Sequence, residues 1–166
     1  MIANRSNTGD CAPTNTPDTP LFVIFNPRSG AEDTAAVRRH IEEGCAAAGR
    51  TLHLLTIDSP QQLDTQVAAA VSTARACGGI VVAAGGDGTI NAVAQAVLGS
   101  GCAFGVLPQG TFNYFSRAHN IPLDTVQALQ VLLTEQPRAV QAGLVNDRVF
   151  LVNASLGLYP KLLQER

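Results

Sequence analysis

The chain has very little lysine and no excess of positive charge. Lys161 is the single lysine beside ten arginines, and the 166 residues carry a formal net charge of -2 at pH 7. Proteins that bind nucleic acid or an anionic membrane through their overall charge need a basic surface, which this composition does not provide. We therefore predict no nucleic-acid partner, and we expect any membrane contact to be local.

Long apolar runs are missing as well. No segment approaches the roughly 20 apolar residues that cross a bilayer, and the N-terminus has no apolar stretch typical of a secretory signal. The cysteines Cys11, Cys45, Cys77 and Cys102 are so far apart that their spacing fits neither a zinc site nor a dense disulfide framework. These absences predict a soluble, cytoplasmic protein whose thiols are reduced.

The chain does have enough apolar residues for one core. At 166 residues and 46% hydrophobic content, it is long enough for one domain and too short for two. Residues 1–19 are rich in Asn, Thr and Pro and lack apolar periodicity, so they cannot bury enough surface to offset the entropy of ordering. We predict a disordered tail over residues 1–19 and a folded domain over residues 20–152.

Strand and helix signals alternate along the folded domain. Short apolar runs predict strands at residues 21–25, 51–57, 80–84 and 103–107. Helical patterns with start and stop signals predict helices at residues 33–48, 60–77, from 87 onward, and 125–134. The last segment changes character, because Asn146 and Asp147 form a good reverse-turn pair between two alternating runs at residues 140–145 and 149–153.

This order of elements predicts an α/β fold. Right-handed crossovers between parallel strands place helices on both faces, which gives a three-layer, Rossmann-like sheet with a terminal antiparallel hairpin. In an open sheet of this kind, ligands bind beyond the carboxyl ends of the strands. That rule gathers four segments on one rim, namely residues 26–30, Thr56, residues 85–91 and residues 108–113.

A glycine-rich turn follows the third predicted strand. The segment Gly85-Gly86-Asp87-Gly88-Thr89 opens a helix, where free amides, the helix dipole and close backbone approach favour a phosphate group. Beside bound phosphates, Asp87 can orient a metal-bound water, accept a hydroxyl proton or hydrogen-bond a ribose. The competing interpretation is a ligand-free turn in which Asp87 caps the helix, although the paired glycines exceed what a cap requires.

Other chemistries fit the sequence less well. The chain has no Walker A lysine, and Asn91 stands where a dinucleotide-binding fingerprint has its third glycine. The three histidines are too scattered to form a metal-binding cluster. Arg28 and Arg117 flank two of the rim loops, and their guanidinium groups suit phosphate, so they are the predicted phosphate clamps.

Three motifs carry a resemblance to a known family. Residues 85–89 resemble the nucleotide-binding signature shared by diacylglycerol kinases, sphingosine kinases, NAD kinases and phosphofructokinases. Residues 26–30 and 107–117 resemble the first and third motifs of the diacylglycerol kinase catalytic domain family, and NAD kinases lack the third motif. Because order and spacing match along most of residues 21–157, the chain resembles a bacterial lipid kinase of that family.

The resemblance implies a cofactor, an acceptor and a site. ATP with Mg²⁺ would donate its γ-phosphate to a lipid hydroxyl such as that of diacylglycerol, as part of phospholipid metabolism. Asp87 matches the acid that serves as base in sphingosine and NAD kinases, so it is the catalytic candidate. The residues implied to bind the nucleotide are Asn26, Ser29, Thr56, Gly85, Gly86, Asp87, Gly88, Thr89, Ile90, Asn91, Gly110, Thr111 and Asn113.

The chain also departs from the family pattern. Tyr114 stands where many relatives have an acid that could help hold magnesium. Family members are much longer, with a β-rich second domain that begins near residues 153–166. By resemblance that domain carries the lipid contacts, most of the metal site and, in bacterial members, an aspartate implicated as general base. We therefore predict the nucleotide-binding part of a lipid kinase, inactive by itself.

The resemblance and the hairpin also predict partners. An unpaired hairpin edge favours a homodimer, and the full-length protein would make transient contact with the inner membrane face. Two alternatives stay open, a non-catalytic nucleotide-sensing module and a soluble, NAD-type kinase of a small metabolite.

Overall fold

Strands and helices alternate along most of the chain. The computed structural model describes residues 13–29 and 33–153. The strands are β1 (Leu21–Phe25), β2 (Leu52–Thr56), β3 (Ile80–Gly85), β4 (Ala103–Pro108), β5 (Gly143–Val145) and β6 (Arg148–Phe150). The helices are α1 (Thr34–Ala47), α2 (Pro60–Cys77), α3 (Asp87–Val97), α4 (Tyr114–Ala118) and α5 (Thr125–Thr134).

Four strands form one parallel sheet in the order β2-β1-β3-β4. β1 lies between β2 and β3, with Leu21 opposite both Leu52 and Ile80, and β4 pairs with the other side of β3. Every residue of β1 and β3 is buried, as continuous apolar runs predict for strands covered on both faces. The predicted parallel α/β sheet is confirmed.

Two hydrophobic cores lie on opposite faces of the sheet. Alternate residues of β1 point to opposite faces, so Val23 packs in one core with residues of α1 and α5, while Ile24 packs in the other with residues of α2 and α3. Ile41 and Leu129 belong to the first core, and Val67 to the second. This is the predicted three-layer, Rossmann-like arrangement.

The helices begin and end at local signals in the sequence. The Asp33 carboxylate accepts a hydrogen bond from the Ala35 amide at 3.0 Å and caps α1, and Asp124 caps α5 in the same way. Gly78 ends α2 in the left-handed region, with φ at 68°. None of the helices in the described ranges is long and apolar enough to cross a membrane.

The terminal hairpin is confirmed, although its strands are shorter than predicted. Asn146 and Asp147 both have positive φ, at 47° and 61°, which a two-residue turn between antiparallel strands requires. Pairing covers residues 143–145 and 148–150, rather than the longer runs at residues 140–145 and 149–153. Residues 140–142 are exposed and unpaired in the described part of the chain. The alternating pattern therefore predicted longer paired strands than the structure has.

Residues 13–19 belong to the fold, which corrects the prediction of a disordered tail over residues 1–19. The Asn15 side chain donates to the carbonyls of Leu132 and Glu135 at 2.9 and 2.7 Å, and its oxygen accepts from the buried Arg50 guanidinium. Gln136 bonds both backbone groups of Asn15. The side-chain amide of Asn15 thus bonds carbonyl groups that the C-terminus of α5 leaves without partners. The remainder of the predicted tail, residues 1–12, lies outside the described residues.

Candidate active site

Three loops at the carboxyl edge of the sheet lie against one another. The Asn26 amide donates to the Ala84 carbonyl, and the Gln109 amide donates to the Gly85 carbonyl, both at 2.9 Å. These bonds continue the strand pairing one residue beyond β1 and β4. The rim predicted from the strand ends therefore forms at residues 26–29, 86–89 and 109–113, while Gly30 of the first motif lies outside the described residues.

The glycines of this rim are required by close contacts. A Cβ on Gly110 would lie 2.8 Å from the Gly86 Cα, and a Cβ on Gly85 would lie 2.7 Å from the Thr89 Cβ. A side chain on Gly110 would push the loop after β4 away from the start of α3, whereas one on Gly85 would clash with Thr89 in the first turn of that helix. The absence of side chains lets the two loops lie against each other.

Asn26 ties the first loop to α3. Its Nδ2 donates to the Thr89 Oγ1 at 2.9 Å, and its Oδ1 accepts from the Arg28 amide at 3.1 Å. Thr89 is only 5% exposed, so this bond lies under the surface of the site. Asn26 thereby fixes the loop that carries Arg28 and Ser29 against the first turn of the helix.

Asn113 closes the loop that follows β4. Its backbone is left-handed, with φ at 51°, its Oδ1 accepts from the Gly110 amide at 2.8 Å, and its Nδ2 donates to the Gly110 carbonyl at 2.7 Å. The residue is 5% exposed. Both polar atoms of the amide are used within the loop, so the observed role of Asn113 is to shape it.

Asp87 is the first residue of α3, and one of its oxygens has no partner. The Oδ1 atom is buried without a hydrogen bond in the described part of the protein. A buried carboxylate oxygen without a donor is unfavourable, and such groups in native structures are explained by strain, by catalysis or by a bound species. The first-turn amides of α3, at Asp87, Gly88 and Thr89, also lack intrahelical partners.

A cleft of about 320 Å³ opens on one side of Asp87. We call it the Asn26 cleft. Its lining residues are Asn26, Arg28, Ser29, Ile57, Ser59, Leu63, Gly86, Gly88 and Thr89. The lining divides into polar residues, among them Asn26, Arg28 and Ser29, and two apolar residues, Ile57 and Leu63. A ligand with a phosphate end and a flat apolar end matches this division.

A smaller cavity of about 200 Å³ includes the Asp87 side chain itself. We call it the Asp87 pocket. It is lined by Asp87, Ile90, Asn91, Tyr114, Phe115, Phe150, Leu151, Val152 and Asn153. Asp87 is the single acidic side chain among these residues, and most of the other walls are aromatic or aliphatic. The lining therefore combines one carboxylate, two amide residues and six aromatic or aliphatic residues.

The hairpin forms one wall of the Asp87 pocket because α3 holds it in place. The Asn91 Nδ2 donates to the Val149 carbonyl at 2.9 Å. The Gln95 side chain accepts from the Val149 amide at 2.7 Å and donates to the Asp147 carbonyl at 3.1 Å. Asp87, Asn91 and Gln95 are four residues apart and share one face of the helix, so this face carries both the carboxylate and the attachment of the hairpin.

The predicted site residues divide among the cleft, the pocket and the framework of the loops. Asn26, Ser29, Gly86, Gly88 and Thr89 line the Asn26 cleft, while Asp87, Ile90 and Asn91 line the Asp87 pocket. Gly85, Gly110 and Asn113 shape the loops, and Thr56 and Thr111 line neither cavity. Contact between any of these residues and a nucleotide stays a prediction.

Sequence reasoning missed the apolar residues of the Asn26 cleft, Ile57 and Leu63. Ile57 follows Thr56 at the end of β2, so the rule that placed Thr56 on the rim could have found its neighbour. Of the two arginines predicted as phosphate clamps, Arg28 lines the cleft and Arg117 does not. The Nε of Arg117 instead donates to the Phe112 carbonyl at 2.8 Å.

The site holds few ionisable groups. No group of three or more His, Cys, Asp or Glu side chains suited to a metal occurs within residues 13–29 and 33–153. Burial raises the pKa of the Cys45 thiol, and the nearby Arg50 guanidinium opposes that rise. Desolvation lowers the pKa of Arg50. Cys45 and Arg50 line neither cavity, so their pKa shifts bear on the fold rather than on the site.

Known proteins share this fold and these motifs. A "Probable lipid kinase YegS-like" from Yersinia enterocolitica is 29% identical over 145 residues, which is 82% of this chain and 45% of that relative. Another of the same name, from Klebsiella pneumoniae, is 40% identical over 79 residues, or 46% of this chain and 27% of the relative. The chain thus spans less than half the length of these curated relatives.

The solved structures agree with the sequence relatives. The crystal structure of a diacylglycerol kinase from Bacillus anthracis str. Sterne superposes with a TM-score of 0.72 at 25% identity, covering 82% of this chain and 47% of that one. The model of the diacylglycerol kinase catalytic domain matches residues 20–145, which contain all three rim loops. The chain belongs to the diacylglycerol kinase catalytic domain family.

Proposed function

We propose that this domain binds ATP for a lipid kinase, which transfers the γ-phosphate to the hydroxyl group of a diacylglycerol-like lipid. One observation carries the proposal. Asp87, whose Oδ1 has no partner in the described part of the chain, lines the Asp87 pocket, while its neighbours Gly86 and Gly88 line the Asn26 cleft. A single carboxylate would thereby lie between a nucleotide in the cleft and an acceptor in the pocket.

The Asn26 cleft would take the nucleotide. The amides at the start of α3 and the Arg28 guanidinium would bind the phosphates, because both are donors suited to phosphate oxygens. The apolar side chains of Ile57 and Leu63 would contact the purine. This assignment replaces Thr56, which does not line the cleft, with its neighbour Ile57 as the residue beside the base.

The described residues offer Mg²⁺ little beyond one carboxylate. Mg²⁺ commonly binds through one or two carboxylates together with substrate phosphates, and Asp87 is the acidic residue at either cavity. The ion would therefore be held chiefly by the nucleotide phosphates, with Asp87 near it. When bound, Mg²⁺ neutralises charge on the phosphate oxygens.

Asp87 would act as the base in the transfer. The acceptor hydroxyl gives its proton to the Asp87 carboxylate while its oxygen forms a bond to the γ-phosphorus. The bond from the γ-phosphorus to the bridging oxygen breaks, and ADP leaves with that oxygen. Because the chain spans less than half of its relatives, we propose that turnover also needs the second domain implied by the family resemblance.

Nucleotide binding can be measured on the chain by calorimetry with ATP and Mg²⁺. We expect saturable heat, and we expect Arg28→Ala to weaken binding about tenfold because a charge-assisted bond to phosphate is lost. Arg117→Ala is the matched control, since Arg117 is also an exposed arginine, in α4 next to a rim loop, but does not line the cleft. Absence of heat at millimolar ATP, or equal effects of both variants, would contradict the assignment.

The base role needs a transfer assay with the full-length protein. Asp87→Asn keeps the shape of the side chain and removes its charge, so phosphate transfer to diacylglycerol should fall about a hundredfold or more. Nucleotide affinity should change little. Activity within tenfold of the parent would exclude Asp87 as the base, and nucleotide binding without transfer by the unmutated protein would favour a nucleotide-sensing module.

A further inference from the structure

Two large aromatic side chains stack on each other at the edge of the Asp87 pocket. The ring centroids of Phe112 and Tyr114 are 5.4 Å apart, and the rings are nearly parallel, at 6°. Both residues are more than half exposed, at 61% and 51%. Tyr114 lines the pocket that contains the Asp87 carboxylate. Aromatic residues held together at a cavity, yet largely open to solvent, are candidates for ligand contact.

The loop holds this pair rigidly. Asn113 lies between the two residues, and its left-handed backbone and paired bonds to Gly110 fix the course of the chain. The Arg117 Nε donates to the carbonyl of Phe112 at 2.8 Å, which anchors the other side. These bonds fix the backbone that carries the two stacked rings.

The polar groups of the pocket leave a specific task for the phenol. The Asp87 carboxylate, when ionised, accepts hydrogen bonds and cannot donate them. Of the two amide residues in the lining, Asn91 uses one N–H of its side chain to hold the Val149 carbonyl, and Asn153 is the other. Tyr114 brings a neutral hydroxyl that both donates and accepts. An alcohol needs such a combination, because its proton requires an acceptor and its oxygen requires a donor.

We propose that Tyr114 is an acceptor-binding residue, which donates a hydrogen bond from its phenol to the oxygen of the acceptor alcohol. The alcohol proton then points to Asp87, one lone pair accepts from Tyr114, and the other lone pair is free to attack phosphorus. The ring of Tyr114 and its partner Phe112 cover the carbon atoms next to that hydroxyl. The inference rests on the proposed function and names the residue that would recognise the acceptor alcohol.

Tyrosine fluorescence can report ligand binding in the Asp87 pocket. The chain has no tryptophan and two tyrosines, Tyr114 and Tyr159. In a Tyr159→Phe background, Tyr114 is the sole source of tyrosine emission, so a ligand in the pocket changes the signal directly. The ligand is dihexanoylglycerol below its micelle concentration, which excludes contact with a lipid surface. The comparison ligand is propanediol dihexanoate, which has the same chains without the free hydroxyl.

We expect dihexanoylglycerol to change the Tyr114 emission saturably and to bind about fivefold or more tightly than the ligand without a hydroxyl, since one hydrogen bond is at stake. Tyr114→Phe, followed by calorimetry in the same background, should remove most of that difference. A purely structural role of the phenol would weaken both ligands equally. Tyr159→Phe, which also removes one phenol hydroxyl, should leave the preference for the alcohol unchanged.

Three results would overturn the inference. The first is equal affinity of the two ligands for the parent chain, and the second is an unchanged preference for the alcohol in Tyr114→Phe. The third is a loss of lipid binding in Tyr114→Phe that is seen only when the lipid is presented in vesicles, which would assign the stacked pair to membrane contact. ATP titration of the same proteins reports on the proposed function separately. If ATP binds and full-length Tyr114→Phe phosphorylates diacylglycerol as well as the full-length parent protein does, the kinase proposal stands and the role of Tyr114 fails.

Discussion

Asn113 shows how a single residue sets the course of a functional loop. Asparagine tolerates the left-handed backbone better than most residues, and here its amide also bonds both backbone groups of Gly110. A glycine would supply the conformation without the bonds, and an alanine would supply neither. The consequence is a loop whose shape depends on one buried amide.

The stability of two variants can separate the contribution of the Asn113 hydrogen bonds from that of its left-handed backbone conformation. Asn113→Ala should lower the free energy of unfolding by about 3 kcal/mol, because it leaves buried polar groups unpaired and strains the backbone. Asn113→Gly loses the same bonds without the strain, so it should cost about 1 kcal/mol less. Urea unfolding followed by circular dichroism measures both values. Equal midpoints for the parent and both variants would show that the loop does not depend on Asn113.

The glycine-rich segment was predictable residue by residue, but its tertiary contact was not. The pattern around Gly86 and Asp87 predicts a phosphate-binding turn because backbone freedom and helix-start amides are local properties. The approach of Gly110 to the Gly86 Cα joins two loops that are distant in sequence. That contact depends on the pairing of β3 with β4, which local patterns do not describe.

At the scale of elements, α3 connects the candidate site to the hairpin. Asp87, Asn91 and Gln95 recur every four residues, and the last two hold β6 through side-chain bonds to Val149 and Asp147. The spacing alone predicts one polar face on this helix. It does not predict that the hairpin covers that face, since the partner lies more than fifty residues away in the chain.

Removing one of these attachments should loosen the hairpin. In Gln95→Leu, the Val149 amide and the Asp147 carbonyl lose their side-chain partners. Amide exchange in residues 143–150 should therefore accelerate about tenfold or more, because two bonds worth about 1 kcal/mol each are lost. Hydrogen exchange with mass spectrometry provides the rate. Gln130→Leu on the exposed side of α5 is the control and should leave the hairpin unchanged. Unaltered amide exchange in Gln95→Leu would mean that the Asn91 bond and side-chain packing are enough to hold the hairpin on α3.

Two elements escaped prediction for identifiable physical reasons. α4 spans only Tyr114–Ala118, which is too short to show helical periodicity. Residues 13–19 are polar, so composition predicted disorder, yet Asn15 is held by the end of α5 and by Arg50. Composition indicates how much apolar surface a segment can bury, but it does not describe hydrogen bonds to distant groups. Residues 13–19 are held by such bonds, to carbonyl groups that the end of α5 leaves unsatisfied.

For the whole molecule, the hairpin edges, which pair with no other strand within residues 13–29 and 33–153, suggest how two copies would meet. Leu144 is 58% exposed and Val152 is 46% exposed, and β5 is an edge strand of a two-stranded sheet. Exposed, apolar edges of this kind favour association. We expect a dimer in size-exclusion chromatography with light scattering, and we expect Leu144→Lys to shift the population to monomer.

A second lysine variant controls for the general effect of added charge. Val126 is 53% exposed on α5, so Val126→Lys adds the same charge away from the hairpin and should leave the dimer intact. If the parent protein is monomeric across concentrations, the predicted homodimer is wrong. If both variants dissociate it, the hairpin is not the specific contact.

The central position of β1 has a consequence for synthesis on the ribosome. Among the strands of the parallel sheet, β1 is made first, yet both of its neighbours, β2 and β3, are made after it. Its five buried residues therefore leave the ribosome with no strand to pair, and parallel pairing across intervening helices forms slowly. The nascent chain is most open to aggregation until residue 85 has emerged, which makes translation speed through α1 and α2 a determinant of yield.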